Sequence, residues 1–163
     1  MIVVSDSSPI INLAVIGNLH LLPQLYGRVI IPQAVYNEVV VYGAGQAGSL
    51  ELPQANWVEI ITVSDRLLVQ SFEVNLDTGE AEALALALQL QADLLLVDEK
   101  KGRRIAHNMG VPVIGLLGVL VNAKEQALIS EMKPILDNLM NQAGFWISSQ
   151  LYTHVLQTVG EVP

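Results

Sequence analysis

Short unbroken apolar runs recur along the chain, separated by longer stretches in which apolar residues return at helical spacing. Ile2–Val4, the run from Arg28 to Pro32, Val58–Val63, Leu94–Val97 and Val113–Ile114 each read as a strand. Their continuous apolar character is that of strands covered on both faces, as in a parallel sheet. After the first run, Ser7 or Ser8 can cap a helix and Pro9 suits its first turn, so Ile10–Ile16 is predicted helical and Gly17 ends it. Asn18 opens a second helix to Leu25, and Pro32 opens a third over Gln33–Val41. Further helices are expected from Ser64-Asp65 to about Phe72, from Asp77 to about Gln91, and over Lys100–Asn108 up to the stop at Gly110. The glycine-rich stretch 43–53 reads as a loop, and a C-terminal helical extension from about 126 has breaks near Pro134 and Gly144. Strands alternating with helices in this way predict an α/β fold around a central, mostly parallel sheet of about five strands, with right-handed crossovers. No repeat, low-complexity tract or linker interrupts residues 1–163, so the expectation is a single domain.

Composition narrows the class. The chain is 52% hydrophobic, 15% charged and only 5% aromatic, with a mean hydropathy of +0.45. That excludes disorder, and it predicts that a partner, such as a second copy, covers some apolar surface. Apolar runs such as Ala83–Leu88 fall well short of the roughly 20 residues that span a bilayer. The start MIVVSDSSP lacks a basic region, so neither a membrane span nor a signal peptide is expected, and a cytoplasmic location follows. There are no cysteines, and His20, His107 and His154 are scattered, which leaves no Cys- or His-based metal site. The net charge of −8 sits poorly with nucleic acid, yet four of the eight basic residues crowd into Lys100, Lys101, Arg103 and Arg104.

One motif misleads. Gly43-Ala-Gly45-Gln-Ala-Gly48 spells a dinucleotide fingerprint, but that motif needs a strand before it and a helix opening at its last glycine. A helical stretch precedes it here and Pro53 follows too soon, so the segment is read as a flexible loop.

The chemistry lies in acids near strand ends, where open α/β sheets build their sites. Asp6 follows the first strand, and Asp98 with Glu99 follows the fourth. Glu38 lies midway along the helix after the second strand, and Glu80 at the start of the helix before the fourth. Singly these acids have ordinary roles: Asp6 as a helix cap, Glu80 as a favourable first-turn charge, Glu38 as a solvated side chain. Gathered at one edge they would repel one another and call for a cation. An all-oxygen donor set suits Mg²⁺ or Mn²⁺. Glu82 is not expected beside Glu80 at the ion, because two residues along a helix turn a side chain by about 200°.

The segments Val3-Val4-Ser5-Asp6-Ser7-Ser8-Pro9-Ile10, Ile30-Ile31-Pro32-Gln33-Ala34-Val35-Tyr36-Asn37-Glu38-Val39, Gly79-Glu80-Ala81-Glu82-Ala83-Leu84-Ala85-Leu86-Ala87 and Ala92-Asp93-Leu94-Leu95-Leu96-Val97-Asp98-Glu99, with Gly102-Arg103-Arg104, follow one another in order. With them the chain resembles the PIN-domain superfamily, in particular a PIN-like bacterial branch of uncharacterised proteins related to toxin–antitoxin ribonucleases. The resemblance implies a three-layer fold and a Mg²⁺- or Mn²⁺-dependent ribonuclease whose acidic quartet is Asp6, Glu38, Glu80 and Asp98. It further implies Glu99 as an auxiliary acid, Ser7 or Ser8 as the small hydroxyl beside the first acid, RNA as substrate and an antitoxin protein as partner. Fold alone does not secure a reaction. A non-catalytic nucleic-acid-binding or regulatory module is the alternative, and a phosphotransferase with a D-x-D strand end is disfavoured by Asp6-Ser7-Ser8.

Lys100, Lys101, Arg103 and Arg104 directly follow Asp98-Glu99 and are assigned to RNA phosphates, unless Arg103 or Arg104 turns inward onto the acids. Trp57 and Trp146 are expected to pack in the core or an interface rather than to stack on bases. Leu151, Val155 and Val159 share a helical stripe that closes the domain or faces another copy of a homo-oligomer.

Overall fold

In the computed structural model, which describes residues 1–162, five short strands form one all-parallel sheet. They are β1 (Val3–Ser5), β2 (Val29–Ile31), β3 (Val58–Ile60), β4 (Leu94–Leu96) and β5 (Val113–Ile114), in the order β3-β2-β1-β4-β5. The expected α/β architecture with a mostly parallel sheet of about five strands is thus the observed one. The chain winds outward from β1 through β2 to β3, then returns to place β4 on the other side of β1. This reversal makes the crevice between β1 and β4 the topological switch point, where ligands bind in such sheets.

Alternation along the strands divides the core between the two faces of the sheet. Val3, Val29, Ile31 and Leu96 point to one side. There they meet α1 (Ser7–Val15), α2 (Leu21–Tyr26), α8 (Leu116–Glu125), α9 (Met132–Gln142) and α10 (Ser149–Thr158). Val4, Ile30, Leu95 and Val97 point to the other, under α5 (Arg66–Glu73), α6 (Thr78–Leu90) and α7 (Lys100–Asn108). Three layers result. Helix α6 is buried from Ala81 to Ala87, and its alternating alanines let it lie close to the strands on one side and to α5 on the other.

Three local expectations change. The helix foreseen over Gln33–Val41 is α3 (Gln33–Tyr36) continued by a π-helical segment, Asn37–Val41, in which the Tyr42 amide donates five residues back to the Asn37 carbonyl at 2.8 Å. The loop 43–53 runs into a helical turn, α4 (Glu51–Gln54), anchored by buried Leu52 and by Glu51 accepting from the Gly48 amide at 3.1 Å. Pro134 does not break a helix but sits in the first turn of α9, where a missing N–H leaves nothing unpaired. Gly144, with φ +66°, does terminate that helix. Among the described residues no helix is long and apolar enough to cross a membrane.

Candidate active site

Two strands carry acids to the switch point. The Asp6 amide donates to the Leu96 carbonyl at 2.9 Å, which extends the β1–β4 ladder one residue beyond Ser5↔Leu96 and holds Asp6 at the end of the sheet. Asp6 occupies the N-cap position of α1 without making the cap hydrogen bond. It is 4% exposed, and its Oδ1 is buried with no hydrogen-bond partner. Burial above all pushes its carboxyl up to about 7; the Ser7 amide offsets part of this, and Glu80, Asp77 and Glu38 add to it.

Glu38 reaches the same place from the π-helical segment, and its Oε2 is likewise buried without a partner. The meeting point is Gly79, in the first turn of α6. A Cβ there would sit 3.2 Å from Glu38 Oε2 and 3.6 Å from both Asp6 Oδ1 and Asp77 Oδ1. The glycine leaves a cradle walled by three carboxylates. Asp77, the N-cap of α6, accepts from the Glu80 amide at 2.8 Å while facing this cradle. Sequence pattern marks Asp77 only as the start of a helix; the signal of its second role is the D-T-G-E string, since a glycine just inside a helix permits close approach. Between α3, the π-helical segment and the start of α6, a cleft of about 380 Å³ lined by Gln33, Asn37, Glu38, Asp77 and Gly79 opens the cradle to solvent.

Glu80 lies partly buried beside the cradle. Burial first, then Asp77, Glu99 and Glu38, raise its carboxyl to about 7. Glu99 is the exposed N-cap residue of α7, within electrostatic reach of Glu80. Asp98 stands apart, held by neighbouring groups. Its Oδ1 accepts from the Leu116 amide at the start of α8 at 2.7 Å, and its Oδ2 accepts from the Ser8 hydroxyl at 3.4 Å. Burial raises this carboxyl, while both hydrogen bonds and the Arg103 guanidinium pull it back. Ser8 therefore links α1 to Asp98, and Ser7 is buried next to Asp6. Glu82 lines the same cleft, but its carboxylate is engaged, accepting from the Ala34 amide at 3.0 Å and from Arg66 Nη1 at 2.8 Å.

The acids thus collect at one edge in two groups: Asp6, Glu38 and Asp77 around Gly79 with Glu80 alongside, and Asp98 beyond Ser8. Among the described residues, no three His, Cys, Asp or Glu side chains close onto one point as a finished metal-ligand set. A hard divalent cation nevertheless fits what is there. Two buried carboxylate oxygens lack any donor, they face a common cradle, and every candidate ligand atom is oxygen. A buried acceptor without a partner costs about 1–3 kcal/mol, more when charged, so both oxygens favour a cation or a proton.

The basic run lies on α7. Lys100, Lys101, Arg103 and Arg104 are exposed, and none joins an ion pair among the described residues. Arg103 is drawn toward Asp98: a Cβ on Gly115 would meet Arg103 Nη1 at 2.9 Å and Asp98 Oδ1 at 3.1 Å. Trp57 packs against the core, whereas Trp146 is 82% exposed, which removes it from the core position expected as one of two choices. In α10, Val155 and Leu156 are buried and close one side of the fold, leaving Leu151 exposed.

The comparison with known families agrees with this arrangement. No curated protein matches the chain. The family model described as "DUF3368: PIN domain" matches residues 2–161, nearly the whole length and all four acidic segments. The chain belongs to the PIN-domain family.

Proposed function

We propose that this chain is a divalent-metal-dependent ribonuclease that hydrolyses phosphodiesters at the edge where β1 meets β4. The observation that carries the reading is the pair of buried, donor-less oxygens, Asp6 Oδ1 and Glu38 Oε2, facing one cradle above Gly79. Asp6 and Asp98 are assigned as primary ligands of Mg²⁺ or Mn²⁺, with Glu38 and Glu80 on a second ion or its waters and Glu99 as an outer acid. When bound, such ions offset the phosphate charge and make water a better nucleophile near neutral pH.

The chain's own groups account for the rest. Ser8 and the Leu116 amide fix the Asp98 carboxylate from two sides, so it is already oriented. Glu80, partly buried beside the cradle, is placed to take the proton of the attacking water. Lys100, Lys101, Arg103 and Arg104 hold RNA phosphates across the site, positioning the strand without reading its sequence. Ser7, next to Asp6, and Ser8, whose hydroxyl reaches Asp98, stand beside the path of the strand. Service as the toxin of a toxin–antitoxin pair, countered by an antitoxin protein, and assembly into a cytoplasmic homo-oligomer belong to the same reading.

Cleavage of a panel of labelled RNAs with Mg²⁺ or Mn²⁺ tests it, comparing wild type with Asp6→Asn and Asp98→Asn. Metal-dependent cutting abolished by both substitutions supports the proposal. Absent cutting, or cutting that survives both, transfers the assignment to a non-catalytic nucleic-acid-binding or regulatory module.

A further inference from the structure

Beyond Asp98, on the side away from Gly79, lies a second and larger pocket of about 750 Å³. Asp98, Lys100 and Arg103 form its rim, Gly115 and Gly118 lie among its lining residues, and Phe145, Trp146 and Leu151 supply its apolar part. Trp146 belongs to the extended segment between α9 and α10, which buried Ile147 anchors to the core. An indole left 82% exposed on an anchored segment, beside Leu151 at 41%, is an apolar surface awaiting a partner.

We infer that this pocket takes an unpaired nucleobase of the RNA, stacked on Trp146 while Lys100 and Arg103 hold the adjoining phosphate. The inference rests on the ribonuclease reading, whose site it extends. Three features select this occupant. The pocket shares Asp98 with the carboxylate edge, so a strand lying across the acids continues into it. Its rim carries two cations without ion-pair partners among the described residues, complementary to a phosphate one sugar away from the base. Its lining joins the aromatic side chains of Phe145 and Trp146 to the apolar Leu117 and Leu151, a wall suited to the face of a planar ring. Aromatic platforms beside basic grooves bind single strands with little sequence preference, because every base offers a π-face.

The test reads binding separately from cleavage. In EDTA, intrinsic tryptophan fluorescence is titrated with a single-stranded oligoribonucleotide, with the same strand annealed to its complement, and with an abasic strand. The single strand should quench fluorescence, whereas the duplex and abasic strands should quench weakly. Trp57 is half-buried against the core and supplies a constant background. Affinity, read from the anisotropy of the same single strand carrying a 5′ fluorophore, should fall by about tenfold in Trp146→Ala, with Trp146→Phe restoring most of it. With metal present, Trp146→Ala should raise KM for the single strand by a similar factor and leave kcat unchanged. Quenching of wild type together with weakened binding of the labelled strand by Trp146→Ala, in a protein that cuts nothing, would uphold the pocket while refuting the nuclease. Metal-dependent cleavage with binding and KM indifferent to Trp146→Ala would refute the pocket alone. A switch from dimer to monomer on Trp146→Ala, with RNA binding unaltered, would also overturn it and assign this face to a second copy.

Discussion

Asp6→Asn should make the metal-free protein more stable at pH 8, although it alters a residue at the centre of the site. In wild type the Asp6 carboxyl is raised from 3.8 to about 7, chiefly by burial. At about 1.4 kcal/mol per pH unit, charging this carboxyl costs roughly 4 kcal/mol more in the folded chain than in the unfolded one. The direction follows from proton counting. Between pH 4 and 7 the folded chain keeps a proton that the unfolded chain has released, so this residue's contribution to stability falls as pH rises through that window. Above pH 7 the whole cost is present. Asparagine keeps the shape and removes the charge, but its buried amide lacks partners in turn, at about 1–3 kcal/mol. The net gain at pH 8 is therefore about 1–3 kcal/mol, equivalent to several degrees in Tm at roughly 2–4 °C per kcal/mol for a chain of this size. Thermal unfolding in EDTA at pH 5 and pH 8 measures it, with the advantage of Asn over Asp expected to shrink markedly at the lower pH. Mg²⁺ or Mn²⁺ should then reverse the order at pH 8, because an ion at about 1,000 times its Kd adds about 4.1 kcal/mol to wild type and little to the variant. Asp6→Asn less stable than wild type at pH 8 in EDTA, or a difference independent of pH, would refute the reasoning.

Gly79→Ala places a methyl 3.2 Å from Glu38 Oε2. Alanine is the better helix former by up to about 1 kcal/mol, so metal-free stability should hold or rise while the Tm gain on adding Mn²⁺ falls. Glu82→Ala removes a buried carboxylate that ties the Ala34 amide to Arg66, and it should cost about 1–3 kcal/mol in urea unfolding. Glu82→Gln keeps an acceptor for Ala34 and should cost less than Glu82→Ala. Ser8→Ala frees one oxygen of Asp98; kcat on RNA should fall several-fold with little change in Tm, and an unchanged kcat would deny Ser8 its positioning role.

Strand and helix placement was legible from local pattern because buried parallel strands and their covering helices have different apolar periods. The run Leu94-Leu95-Leu96-Val97 admitted little else between two helical stretches. Asp6, Glu38, Glu80 and Asp98 could be singled out because strand ends and the helices after them carry sites in this class of fold. The π-helical turn at Glu38 was not legible, since one extra residue per turn follows from how the segment sits on its neighbours rather than from side-chain preference. Asp77 was hidden for a related reason: a helix cap and a cradle wall are the same residue type, and only Glu38 arriving opposite reveals the second role.

The amino-acid sequence by itself determined the order of elements, the parallel character of the sheet and, Asp77 apart, the acids available to one edge. Tertiary structure alone decided how that set divides. Strand order put β4 beside β1 and so brought Asp98 to Asp6's side of the sheet, but the α8 amide and the Ser8 hydroxyl then claimed its carboxylate. Glu82, two residues from Glu80, was drawn to Ala34 and Arg66. Exposure of Trp146 was settled in the same way, by Ile147 entering the core and turning its neighbour outward. Periodicity is written in neighbouring residues, whereas the partner of a carboxylate or an indole is chosen among groups that only folding brings within reach.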